Sequence, residues 1–425
     1  MDERDQRITG KRLASNTTKN MAFLSHCQLP ARWSGDWTLI EDCRIGNHQA
    51  AVRFDLSDIR RADLVVIAHD FSGFWKATVG SETKLLSLYA RESQCRIIPL
   101  WRSARPATVH FEFTSIGPSG DSKDAEMVFL GIDVDGPYES DIDWTLNNPA
   151  TPRLQILANP YLSLQERCWL VSHLDWSQAN ALLQRHEQCD ESGPYVKAGP
   201  YRIYYRPPWE VHDVETLSRE ARNVILETFV WPVVFSPEVR LRPDDIVIDA
   251  GANLGTMSIL FRELLGSSGL VVAIEPVSYA LLEQNLRANQ ISGVTAVPVA
   301  LARQPGKTTI YVFDQLAGST STPRKDAPVI KKLEVISETL DEMVRRLGLP
   351  RVDFIKMDIE GAEEDALEGA THVLQTYRPR LSISSYHTDK HGRPQHDRLV
   401  RLLRRIEPGY QIREPGRHHI YAWSD

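Results

Sequence analysis

The chain is poor in cysteine and has no long apolar run, and both shortages narrow what it can be. Its five cysteines (Cys27, Cys43, Cys95, Cys168 and Cys189) are odd in number, scattered, and never arranged as C-x-x-C. That pattern suits neither a zinc site nor a disulfide framework and fits a reducing cytoplasm. No apolar stretch approaches the roughly 18 residues needed to span a bilayer, so no membrane partner is expected. Residues 1–20, MDERDQRITGKRLASNTTKN, are polar and charged without an apolar h-region. They read as part of a disordered tail over 1–30 and not as a secretory signal. Clustered positive charge is also missing: net charge is −7 with pI near 6.0, and Lys and Arg are dispersed. A nucleic-acid partner is therefore not expected, and the short cluster of Arg401, Arg404 and Arg405 reads as a solvated helix face.

At 425 residues the chain can bury two or three cores, and its pattern changes along its length. From about Trp37 to Trp144, short runs such as AAVRFDL, DLVVIAH, RIIPLW, TVHFEF and MVFLGIDV alternate with Gly, Pro, Ser and Asp clusters. A β-rich auxiliary domain over 31–150 follows, as an antiparallel sandwich or jelly-roll-like module. Trp75 and Trp101 are candidates for stacking on a sugar, or for the module's own core. Asp133, Asp135, Glu139, Asp141 and Asp143 lack EF-hand spacing and read as a surface loop. Residues 151–200 read as a helical bridge ending in a linker, ESGPYVKAGP at 191–200. Tyr201–Arg206 then reads as a strand and Val214–Phe229 as a helix. Across 201–425 strands and helices alternate, which predicts an α/β fold: a doubly wound, mostly parallel sheet with an antiparallel terminal hairpin around Pro415-Gly416. Ser337–Leu347 and Glu363–Tyr377 read as helices of that layer.

Residues 244–255, DDIVIDAGANLG, are the most informative stretch. Ile246, Val247 and Ile248 suit a buried parallel strand, and the D-x-G-x-N-x-G turn that follows opens the amphipathic helix Thr256–Leu265. This is the first βα unit of a nucleotide-binding sheet. Gly251 and Gly255 let backbone approach a ligand closely. Asp249 would repel a pyrophosphate, which disfavours a dinucleotide-dependent oxidoreductase. It suits a cofactor with a cationic portion, such as S-adenosyl-L-methionine. The next strand, Leu270–Ile274, ends in Glu275-Pro276, where a carboxylate can accept from ribose hydroxyls. Asn253, Thr256, Pro276, Ala300 and Asp358 complete the expected cofactor-binding set.

A second motif, RVDFIKMDIEGAE at 351–363, ends its strand at the mouth of the sheet. Asp358 and Glu360 are two apart and share a face if the strand stays extended. They can anchor the cofactor amine, act as a base, or hold a divalent cation through oxygen ligands. The competing reading gives Glu360, Glu363 and Glu364 to capping of the next helix.

DAGANLG, AIEP, TLDEM, FIKMDIEGAE and PRLSISSYH, in that order, resemble the FkbM family of S-adenosylmethionine-dependent methyltransferases over about 200–425. The resemblance implies a class I methyltransferase fold and transfer to oxygen, commonly a hydroxyl of a sugar or natural-product scaffold. Many members carry a Glu before the His at the end of the fifth strand. Here Ser384-Ser385-Tyr386-His387 stands instead, which leaves His387 as the polar catalytic candidate beside Asp358 and Glu360. With an ordinary pKa near 6.5, His387 can take the acceptor's proton near neutrality; metal activation through Asp358 and Glu360 is the alternative. The Gly318–Thr322 loop is a candidate cover for the site. His418 and His419 read as structural. A binding protein that docks a glycan on its β module and keeps an idle cofactor fold is the competing function, and a homodimer is compatible with either.

Overall fold

The computed structural model describes residues 21–135 and 176–424 apart from positions 26–27, 36, 41–42, 48, 92, 119–121, 123, 208–213, 231–233, 237, 314–328 and 390; within 136–175 it describes 156–157, 159, 167 and 171. The expected N-terminal tail up to residue 20, Glu139, Asp141, Asp143, most of the helical bridge and the Gly318–Thr322 loop lie outside the described residues. The chain divides into two compact units between Leu182 and Leu183.

The first unit is β-rich. Its strands are β1 (Met21–Ser25), β2 (Arg32–Ser34), β3 (Trp37–Ile40), β4 (Cys43–Gly46), β5 (Ala51–Ala68), β6 (Phe74–Val79), β7 (Glu82–Ser87), β8 (Gln94–Gly117) and β9 (Met127–Asp135). They join in one sheet of order β3-β4-β9-β5-β8-β6-β7, with β1 added on β9 and β2 on β5. AAVRFDL and DLVVIAH, two strands by their pattern, are halves of β5, and RIIPLW and TVHFEF are halves of β8. Register shifts between Leu56 and Asp63 let the paired strands change course without breaking. Val52, Phe54 and Leu56 alternate inward with period two, then Ala62–Ala68 are buried throughout. Trp75 is wholly buried and donates its indole N–H to the Ala125 carbonyl at 2.9 Å, so it serves the core and not a sugar. Asp133 is not a surface residue either: it is fully buried and ion-paired with Arg61 and Arg167, as a buried carboxylate must be.

After helix α1 (Trp176–Gln184), the second unit begins with an antiparallel sheet of β10 (Glu187–Asp190), β11 (Gly193–Ala198) and β12 (Tyr201–Tyr204). The stretch expected to be a linker, 191–200, therefore contains a strand. Its Gly and Pro flanks hide a short alternation that buries Val196 and Ala198. Helix α2 (Val214–Ile225) runs into a π-helical turn, Leu226–Val230, where the sequence suggests a single regular helix.

The main sheet is built from β13 (Ile246–Ala250), β14 (Leu270–Ile274), β15 (Val294–Val297), β19 (Phe354–Met357), β20 (Arg380–Ser384), β21 (Gln411–Arg413) and β22 (His419–Trp423), where β16 (Ala300–Leu301), β17 (Gly306–Phe313) and β18 (Val329–Glu338) form a separate three-stranded sheet. Its order is β15-β14-β13-β19-β20-β22-β21. The first five strands are parallel and the last two form the antiparallel hairpin. Helices α3 (Thr256–Leu264), α4 (Tyr279–Ala288), α5 (Leu340–Arg346), α6 (Glu363–Glu368), α7 (Thr371–Tyr377) and α8 (His396–Ile406) complete the unit. Two helix boundaries differ from the sequence pattern. Ser337 and Glu338 end β18, and α5 begins only after the Thr339 side chain caps it. The helix expected over 363–377 is two, broken at Gly369, where a Cβ would fall 2.2 Å from the Ala302 carbonyl oxygen.

Candidate active site

In this sheet the strand order reverses between β13 and β19, the place where open α/β folds bind ligands outside the strands' carboxyl ends. The turn leaving β13 has positive φ at Gly251 (77°), Asn253 (49°) and Gly255 (82°). Glycine is required at 251, because a Cβ would sit 1.8 Å from the Asp358 carbonyl oxygen. Backbone N–H groups of Gly251 and Ala252 both donate to the Ile274 carbonyl, at 3.0 and 3.1 Å. The turn is thereby pinned between β14 and the exit of β19.

A cavity of about 550 Å³ opens there, within the range usual for small-molecule sites. Gly251, Asn253, Thr256, Glu275, Pro276, Ala300, Asp358 and Glu360 line it. Three predicted residues do not: Asp249, Gly255 and His387. Gly255 instead packs against α4, where a Cβ would meet Leu282 at 2.6 Å. Asp249 is fully buried beneath the turn. Its Oδ2 accepts from the Ser258 hydroxyl at 2.5 Å, and its Oδ1 lies 3.3 Å from Lys356 Nζ. Lys356 is its register partner across β13 and β19, so Asp249 faces a lysine and not the cavity. Burial opposes the lysine's charge, but Asp249 and Asp358 outweigh it and hold its pKa above the ordinary value. Lys356 also lines the cavity and donates to the Gly251 carbonyl at 2.8 Å.

Glu275 is nine-tenths buried. Its Oε2 accepts from Asn253 N at 2.9 Å, and its Oε1 accepts from Val277 N at 2.7 Å and Ser278 N at 2.9 Å. Burial pushes its pKa up against those three donors. A carboxylate has about four acceptor sites, so a further donor from the cavity can still be accepted. Beside it, Asn253 Oδ1 is buried without a hydrogen-bond partner among the described residues. An orphaned acceptor at the lip of a cavity fits a ligand hydroxyl or amine. With apolar Ile274, Val299 and Leu301 nearby in the wall, these residues fit a nucleoside whose other end carries positive charge.

His387 stands just behind this wall. Its Nδ1 meets Glu363 Oε1 at 2.9 Å, and its Nε2 points to Glu360 at 3.4 Å and Asp358 at 3.6 Å. Burial works against its charge, but the Glu363 hydrogen bond and the three carboxylates win, raising its pKa to about 9. That shift favours the charged ring at neutral pH, and the carboxylates around it set His387 against the expected role of proton acceptor. The expected cation site fares no better. Asp358, Glu363 and His387 bring ligand atoms within 4.8 Å of one another, yet Glu363 already accepts from His387, Ile359 N, Gly361 N and Gln395. Three of those donors fall on Glu363 Oε1, which leaves His387 Nε2, at 3.4 and 3.6 Å, as the group nearest the Glu360 and Asp358 carboxylates. Two carboxylates and one imidazole nitrogen make an incomplete ligand set for Mg²⁺, which takes octahedral oxygen coordination.

Sequence reasoning passed over three groups. Lys356 lies inside an apolar strand, and that misplacement was the available signal. Glu363 reads as a helix cap but serves as the buried partner of His387. Glu227, on the π-helical turn, lines the cavity with an exposed side chain; partial desolvation, and then Asp358, raise its carboxyl to about 7. Nothing in its local sequence distinguishes it from a solvated glutamate.

Residues 249–412 match the model of the methyltransferase FkbM domain. Methyltransferase sdnD of Sordaria araneosa is 27% identical over 214 residues, covering 40% of this chain and 82% of that protein. Methyltransferase 1 of Beauveria bassiana is 29% identical over 150 residues, covering 30% and 59%. The 2-O-methyltransferase NoeI of Sinorhizobium fredii is 24% identical over 155 residues, covering 32% and 62%. The chain thus spans less than two thirds of the last two, and residues 21–182 lie outside the family match.

Proposed function

We propose that this chain, whose residues 249–412 belong to the FkbM methyltransferase family, moves the methyl group of S-adenosylmethionine onto a hydroxyl oxygen of a small acceptor of the sugar or natural-product class. One observation carries the reading: the cavity at the strand-order reversal joins the glycine turn, the Glu275 carboxylate and the Asp358–Glu360 pair in one space. In this reading Glu275 and Asn253 accept from the ribose hydroxyls, and Asp358 and Glu360 face the positive amino-acid end. His387 neutralises that pair from behind and fixes its direction, as a positioning residue. The bound cofactor supplies an already activated methyl, so the protein's remaining task is to align an oxygen and accept its proton. Transfer to oxygen is supported by the name of the Sinorhizobium fredii relative, a 2-O-methyltransferase.

The test is incubation of the full chain with methyl-labelled S-adenosylmethionine and a panel of glycosides and hydroxylated polyketides, with mass spectrometry of the products. Label on an ether oxygen is the expected result. Label found only on nitrogen or carbon would overturn the oxygen assignment.

A further inference from the structure

Hydroxyl methylation releases a proton, and the groups around the cavity differ in their freedom to take it. His387 already carries one, Asp358 and Glu360 face that imidazolium, and Glu275 is held by three backbone amides. Asp365 is paired with Arg303. Glu227 is different: it makes no hydrogen bond or ion pair among the described residues. Its turn is docked to the cofactor turn through Thr228, whose hydroxyl lies 2.9 Å from that of Thr256 at the start of α3. Short π-helical insertions recur at functional sites because they re-aim side chains that a regular helix would point elsewhere.

Resting on the methyltransferase reading above, we propose that Glu227 is the proton acceptor for the acceptor hydroxyl. The Glu227 carboxylate takes the hydroxyl proton as the oxygen forms its bond to the methyl carbon. The methyl–sulfur bond breaks with its electron pair left on sulfur. The products are the methyl ether, S-adenosylhomocysteine and a protonated Glu227. The groups facing Glu227 are Asp358 and Lys356 from β19 and its exit and Tyr386 beyond β20, with Glu220 and Asn223 in the cavity wall from its own helix. A carboxyl poised near 7 in that setting suits general-base work at neutral pH. Residue 227 lies outside the family match at 249–412, so this wall is supplied by the preceding segment.

Full-length Glu227→Gln and Glu227→Asp are compared with the parent. Isothermal titration with S-adenosylhomocysteine and ¹³C NMR of glutamate carboxyls are read alongside turnover of the best acceptor from the panel. The expected result is an unchanged S-adenosylhomocysteine affinity, kcat down about 10²–10⁴-fold in Glu227→Gln, partial recovery in Glu227→Asp, and loss of the rise in kcat as pH passes about 7. One carboxyl resonance titrating near neutrality should vanish in Glu227→Gln. Full kcat with the same pH profile in Glu227→Gln would overturn the assignment. A parent that binds no S-adenosylhomocysteine would instead overturn the methyltransferase reading beneath it.

Discussion

His387 shows most sharply how position decides a residue's chemistry. Its folded pKa, raised from 6.5 to about 9, makes its proton part of the fold. A raised pKa stabilises the protein fully below the unfolded value, and that contribution is lost as pH climbs from 6.5 through about 9. The size is about 3 kcal/mol at most for a buried histidine shifted so far. Urea midpoints of the parent should therefore fall between pH 6 and pH 10, and those of His387→Gln should fall much less. Equal slopes for the two proteins would contradict the charged assignment. At this scale Gly251, Glu275 and Asp358 were legible because strand ends in a βα pattern converge by topology. Asp249 was read in the right place with the wrong partner. Its cross-strand neighbour Lys356 is more than a hundred residues away in sequence, and register is invisible until the sheet is assembled. Glu363 was hidden for the same reason, since its side-chain partners His387 and Gln395 come from beyond β20.

Among the elements, the π-helical turn Leu226–Val230 places Glu227 and Thr228 in the cavity wall. The apolar positions Leu217, Ala221, Val224, Ile225 and Phe229 describe a regular helix, and a one-residue widening leaves almost no trace in such a pattern. Its anchor is the hydroxyl pair Thr228 and Thr256, both buried. Thr228→Val keeps the shape and removes the bond, which should cost about 1 kcal/mol of stability and weaken S-adenosylhomocysteine binding. Denaturant titration and calorimetry check both, and an unchanged midpoint would show that the bond does not dock the turn. Helix and strand boundaries elsewhere failed for related reasons. Gly369 breaks a helix because distant backbone comes close, and bulges fuse the short runs of the first unit into β5 and β8.

At the scale of the whole molecule, alternation of strand and helix sufficed to anticipate the doubly wound sheet and its terminal hairpin. It could not place the unit boundary at Leu182, because β10–β12 belong to the second unit while their short, Gly-bounded runs look like linker. No helix among the described residues is long and apolar enough to cross a membrane. The strand order opens a cavity between β13 and β19, and Glu275, held by three backbone N–H groups, is a tightly constrained acceptor in its wall. Removing that carboxylate also strands three backbone N–H groups, so Glu275→Ala should lower Tm as well as affinity. Isothermal titration of S-adenosylhomocysteine into the full chain and into Glu275→Ala, at a temperature where circular dichroism shows both folded, is the most direct test. Saturable binding by the parent is predicted, with a loss in the variant of about 1.5–3 kcal/mol, roughly tenfold or more. No binding by the parent, or equal affinity in a folded variant, would contradict it.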